Sequence, residues 1–90
     1  MEESYPVRTP DIVVRKEKKE ALLFNPSDGS LLCINKTGIF IWDLCDGSCT
    51  VKDIGEKVME TYEVSIGKAE EDCKSYLKEM ESAGFIGYKV

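Results

Sequence analysis

The run Ile39–Cys45, "IFIWDLC", holds Ile39, Phe40, Ile41, Trp42, Leu44 and Cys45 and the chain's one tryptophan. An amphipathic surface helix keeps a polar face, and here Asp43 is the single polar residue in seven. Asn35 or Thr37 can cap a helix over about Lys36–Cys45, and Gly47 sits where a left-handed residue ends one. A helix apolar nearly all round must be covered on every side. The rest of the chain therefore has to supply a sheet on one side and further helices on the others. Ninety residues leave room for one such core and no second domain.

The flanking segments read as those covers. The first ten residues are polar, carry two prolines, and are expected as a flexible arm ahead of a domain over residues 11–90. "DIVVRKE" (Asp11–Glu17) and "ALLFN" (Ala21–Asn25) read as strands, followed by a turn, "PSDG", in which Pro26 presets φ and Gly29 takes the left-handed position. "SLLCIN" (Ser30–Asn35) reads as a third strand and closes a hairpin with the second. Beyond Gly47 the period becomes helical. Thr50 with Asp53 forms a capping box ahead of the stripe Val51, Ile54, Val58, Met59 and Tyr62. Ser65 caps a last helix over about Gly67–Ala83, with the stripe Ala69, Cys73, Tyr76, Leu77, Met80 and Ala83 and with Gly84 to end it. "FIGYKV" is a short closing strand or an ordered tail. Three strands followed by three helices predict an α+β fold.

Charge and cysteine content narrow the function. The net charge is −5; residues 1–20 hold five basic and five acidic side chains, so the deficit lies wholly in residues 21–90, with seven against twelve. A body of that sign is unsuited to a nucleic-acid backbone. Cys33, Cys45, Cys49 and Cys73 have neither the Cys-x-x-Cys pairs nor the histidines of a zinc site, and the chain has no histidine. They read as reduced thiols packed as small apolar groups, and no metal or cofactor is expected. No nucleophile–base pair and no phosphate-binding glycine loop are legible, so no catalysis is expected. No apolar run approaches a membrane span, and "MEESYPVRTP" lacks the basic and apolar regions of a signal peptide, so a cytoplasmic location is expected.

The run Ile41-Trp42-Asp43-Leu44-Cys45-Asp46-Gly47 followed by Thr50-Val51, behind the hairpin "ALLFNPSDGSLLCIN" and ahead of "YLKEMESAGFI", resembles the PqqD family over about Asp11–Ile86. The family's namesake is the pyrroloquinoline quinone biosynthesis protein D. The resemblance implies a winged-helix-like fold, a three-stranded antiparallel sheet followed by three helices. It also implies a non-enzymatic peptide chaperone. Such a protein captures the leader of a ribosomally made precursor peptide and presents it to a modifying enzyme, commonly a radical SAM protein. In the family the peptide adds as a strand to the third strand, in a groove walled by the third helix.

Carried onto this chain, that edge is Ser30, Leu31, Leu32, Cys33, Ile34 and Asn35. The strand is apolar on both faces, Leu31 and Cys33 on one and Leu32 and Ile34 on the other. That pattern means full burial or one face held for a partner. On the last helix Cys73, Tyr76 and Met80 offer soft contacts, Tyr76 foremost because its hydroxyl wants a wet edge or a partner, and Lys68, Asp72 and Glu79 form a rim. The same stripe also suits packing on the first helix. A general protein–protein adaptor is the rival reading. A winged-helix DNA binder is disfavoured by a last helix with three lysines against five acids. Monomer and strand-swapped dimer both remain open.

Overall fold

The computed structural model describes residues 4–89. In chain order the elements are β1 (Tyr5–Arg8), β2 (Val13–Lys16), β3 (Glu20–Asn25), β4 (Ser30–Asn35), α1 (Lys36–Leu44), α2 (Val51–Tyr62), α3 (Ile66–Ser82) and β5 (Ile86–Lys89). The architecture is α+β and winged-helix-like: the antiparallel sheet β2-β3-β4 precedes the three helices, and β1 and β5 pair in a separate two-stranded ribbon. The strand expected over Ser30–Asn35 is β4.

Local sequence accounts for most element ends. Gly29 (φ 78°) closes the β3–β4 turn, where its N–H donates to the Asn25 carbonyl at 2.8 Å. Asn35 is the N-cap of α1, its side chain accepting from the Gly38 N–H. Thr50 and Asp53 form the reciprocal capping box of α2, and Ser65 caps α3 by accepting from the Lys68 N–H. Gly84 (φ 83°) ends α3: its N–H donates to Glu81, the Phe85 N–H reaches back to Met80, and the Phe85 and Met80 side chains meet in the core. That is the Schellman arrangement with its apolar contact.

The core forms around α1, where Ile41 is fully buried and Trp42 is 4% exposed. Ala21, Leu23 and Ile34 close it from the sheet, Ile54 and Val58 from α2, and Ala69, Cys73, Leu77 and Met80 from α3. At Gly38, α1 lies tight against β4 and α3. A Cβ there would lie 2.8 Å from the Ile34 Cβ and 3.1 Å from the Tyr76 ring, so only glycine lets α1, β4 and α3 meet.

One segment departs from the sequence expectation. The N-terminal residues read as a flexible arm; residues 1–3 lie outside those described, but Tyr5–Arg8 is a strand, antiparallel to β5 from Tyr5↔Lys89 to Arg8↔Ile86. Its other side meets the turn after α1: the Arg8 N–H donates to the Cys45 carbonyl at 2.8 Å and the Gly47 N–H to the Pro6 carbonyl at 3.0 Å. Pro6 is tolerated because its nitrogen lies on the same side as its carbonyl, toward Gly47, so the pairing with β5 loses no donor. Arg8 also places its guanidinium within 2.9 Å of the Trp42 and Asp43 carbonyls and 5.9 Å from the indole centroid. α1 has no basic residue in its own last turn, and Arg8 provides that cation from another element. "FIGYKV" resolves into β5 from Ile86 onward.

Two expectations follow for stability. Gly38→Ala should lower the denaturant midpoint, with a loss of about 1–3 kcal/mol from overpacking against Ile34 and Tyr76 despite alanine's better helix propensity. The Asp53 carboxyl is held below its ordinary range by the Thr50 backbone N–H, then by the Thr50 hydroxyl. A lowered folded pKa stabilises at pH above the ordinary value, and that contribution fades as pH falls through the lowered one. Asp53→Asn should therefore be less stable than the parent at neutral pH, with the gap closing in acid, as read by urea titrations across that range.

Candidate functional site

The sheet has two outer strands, and they differ in chemistry. β2 is four residues long, carries Arg15 and Lys16, and runs into the Lys18–Lys19 turn, a charge pattern that discourages strand pairing. β4 is six residues long with no charged side chain. It pairs with β3 on one side, from Glu20↔Asn35 to Asn25↔Ser30, and among the described residues no strand lies on its other side. Alternate N–H and C=O groups along that side are left without ladder partners.

The two apolar faces of β4 have different environments. Leu31, Cys33 and Asn35 are exposed, with Leu31 at 60%; Leu32 is half-buried and Ile34 is core. Leu32 forms one wall of an open groove of about 480 Å³, and α3 forms the opposite wall through Ser75, Lys78, Glu79, Ser82 and Ala83. Its lining is apolar at Leu32 and Ala83 and polar at Ser75, Lys78, Glu79 and Ser82.

The residues expected on α3 are divided by this geometry. Cys73 and Met80, expected as groove contacts, are fully buried and pack in the core, as does Ile34; a helix in so small a domain must bury its main apolar stripe. Tyr76 lies between groove and core. Its hydroxyl donates to the Asn35 side-chain oxygen, which also accepts from the Gly38 N–H at 3.0 Å. Burial pushes the Tyr76 hydroxyl pKa up, partly offset by the Asn35 hydrogen bond. Lys68 and Asp72 pair at 3.3 Å near the start of α3. They share a helical stripe with Ser75, Glu79 and Ser82, but the groove lining begins only at Ser75.

Ser75, Lys78, Ser82 and Ala83 line the groove without being among the residues expected there from the sequence. For Ser75 and Ser82, though not for Lys78, which lies off it, the available signal was the spacing Lys68, Asp72, Ser75, Glu79, Ser82, alternating steps of four and three beside the apolar stripe. It marks a helix face next to the core and holds two small serines where long charged residues would close a groove.

Elsewhere the polar groups are engaged in local structure. The cleft of about 430 Å³ lined by Ser4, Tyr5, Thr50, Asp53 and Glu56 includes Thr50 and Asp53, both committed to capping α2. Among the described residues no three histidine, cysteine or acidic side chains gather as a metal site. Burial pushes the Cys45 thiol up to about 12 and Cys73 to about 11, so both are neutral at physiological pH. No helix of the described residues is long and apolar enough to cross a membrane.

The thiols give a check on this geometry. Cys33 is the one exposed cysteine, its pKa raised by desolvation and then by Glu20. In the native protein at mildly alkaline pH, a thiol-specific reagent should modify Cys33 first. Cys45 and Cys73 should react only after denaturant is added, as read by mass mapping of the labelled cysteines.

A profile of the family described as "Coenzyme PQQ synthesis protein D (PqqD)" matches residues 20–86. Among solved structures, the chain is similar to one described as "TbiB1 in Complex with the TbiA(beta) Leader Peptide", with a TM-score of 0.76 and 18% identity, covering 89% of this chain and 93% of that one. At that identity the likeness is one of fold. No curated protein matches the chain.

Proposed function

The chain belongs to the PqqD family, and from that premise we propose that it binds the leader segment of a ribosomally made precursor peptide by strand addition to β4. The observation that carries this reading is the free edge of β4: uncharged, six residues long, and set beside a groove with α3 as its far wall. A strand added there satisfies the unpaired backbone groups of Ser30–Asn35 and sends alternate side chains into the groove. The fold it shares with a protein solved with a leader peptide supports the same reading.

On this reading Leu32 and Ala83 receive apolar side chains, while Ser75, Lys78, Glu79 and Ser82 meet the polar ones. Tyr76 and Asn35 hold the end of the edge in place. Lys68 and Asp72 form a charged pair beyond the groove. The protein acts without catalysing: it holds the leader while a modifying enzyme, commonly a radical SAM protein in this family, works on the remainder of the peptide. Nucleic-acid binding is the weaker reading, because α3 carries three lysines against five acidic residues, a net of −2.

The test is a titration of isotope-labelled protein with synthetic leader segments of precursor peptides encoded near it. Binding tighter than about 100 μM is expected. Amide shifts should concentrate in Ser30–Asn35 and Ser75–Ala83. N-methylation of single peptide amides should weaken binding at every second position by about two- to tenfold, with the intervening positions far less sensitive. Saturable binding with no period-two pattern would exclude strand addition, and shifts confined to other elements would exclude the site.

A further inference from the structure

The face of the sheet turned away from the helices carries an apolar row aligned by the strand register. Val13 on β2 stands opposite Phe24 on β3, and Phe24 opposite Leu31 on β4. Val13 is 52% exposed and Leu31 60%, with Phe24 half-buried between them. The neighbouring row, Arg15, Leu22 and Cys33, has a charge at its β2 end. The row through Leu31 has none. It crosses all three strands and stops at the free edge, where Leu31 has a cross-strand neighbour on one side only.

We infer that Leu31 is a specificity determinant for the bound peptide, selecting an apolar residue on the outward face of the added strand. This rests on the strand-addition reading and specifies it further. A strand paired to β4 places one residue directly opposite Leu31, pointing to the same outer face, and that residue's neighbours point into the groove over Leu32. An apolar side chain there extends the row Val13–Phe24–Leu31 by one member and covers the flank of Leu31 now open to water. A charged one would be set against an apolar row. The recognised segment is therefore an extended stretch with consecutive apolar residues, one facing out to Leu31 and the next facing in to Leu32 and Ala83.

A second copy of this chain is a poorer occupant than a peptide. Pairing β4 with β4 would bring two copies of α3, each of net charge −2, alongside one another. A single extended segment brings no such burden.

The experiment is a selection from a displayed random-peptide library against the full-length protein and against Leu31→Lys and Leu31→Thr. The exposed position and threonine's β propensity keep the second variant folded if the first is not. Enriched peptides are aligned by their contacts to β4, assigned by NMR. With the parent protein the position opposite Leu31 should be apolar, and its replacement by serine should weaken binding about two- to fivefold. With Leu31→Lys that position alone should turn acidic, and with Leu31→Thr the serine penalty should disappear. Enriched peptides that map to β4 but share one profile for all three proteins would overturn the inference and leave strand addition standing. Enriched peptides that bind away from β4, or no enrichment at all, would overturn both. A β4-dependent dimer in sedimentation would replace the peptide with a second copy.

Discussion

Everything in this fold follows from having to bury α1. A helix with Ile41 and Trp42 inward and Phe40 and Leu44 half-covered cannot lie on a surface, so sheet, α2 and α3 are arranged around it. At its C-terminal end the Cys45 N–H and thiol answer the Trp42 and Ile41 carbonyls locally, but no basic residue lies in its last turn. Arg8, brought in by the β1–β5 ribbon, supplies the missing cation and hydrogen-bond donors. The ribbon is thus more than a tidy end to the chain. It brings the partner that the central helix requires.

Consequences for the site come from the same constraint at the opposite end of α1. Gly38 admits Ile34 and the Tyr76 ring to close contact with the helix, which draws β4 and α3 together at that level. Farther along, the space between Leu32 and the end of α3 is the groove. The open edge and its wall are therefore a by-product of how the core closes. A larger residue at position 38 would alter the groove without touching its lining.

Sequence alone made much of this legible because the informative signals were local. The hairpin turn, the Asn35, Thr50 and Ser65 caps and the Gly84 stop each depend on residues within a few positions of one another. β4 was readable for the same reason, as six residues between a turn and a cap. The β1–β5 ribbon was not, since its two halves lie at opposite ends of the chain and β1 contains Pro6, which argues against a strand. Arg8's role was hidden likewise, being a contact across more than thirty residues. On α3, the apolar stripe showed that Cys73, Tyr76 and Met80 share a face but left open which of them lines a groove. Periodicity gives direction around a helix, while depth below the surface depends on what packs against it.

Asn35 is both the last residue of β4 and the N-cap of α1, so no loop separates the strand from the helix. The strand is tied at its other end by the tight Asn25–Gly29 turn. A segment anchored in this way has little conformational freedom of its own to lose. On association, nearly all of the ordering entropy then falls on the incoming chain and little on the protein. Differences in affinity among peptides should therefore reflect how extended each already is when free, as much as the contacts it finally makes.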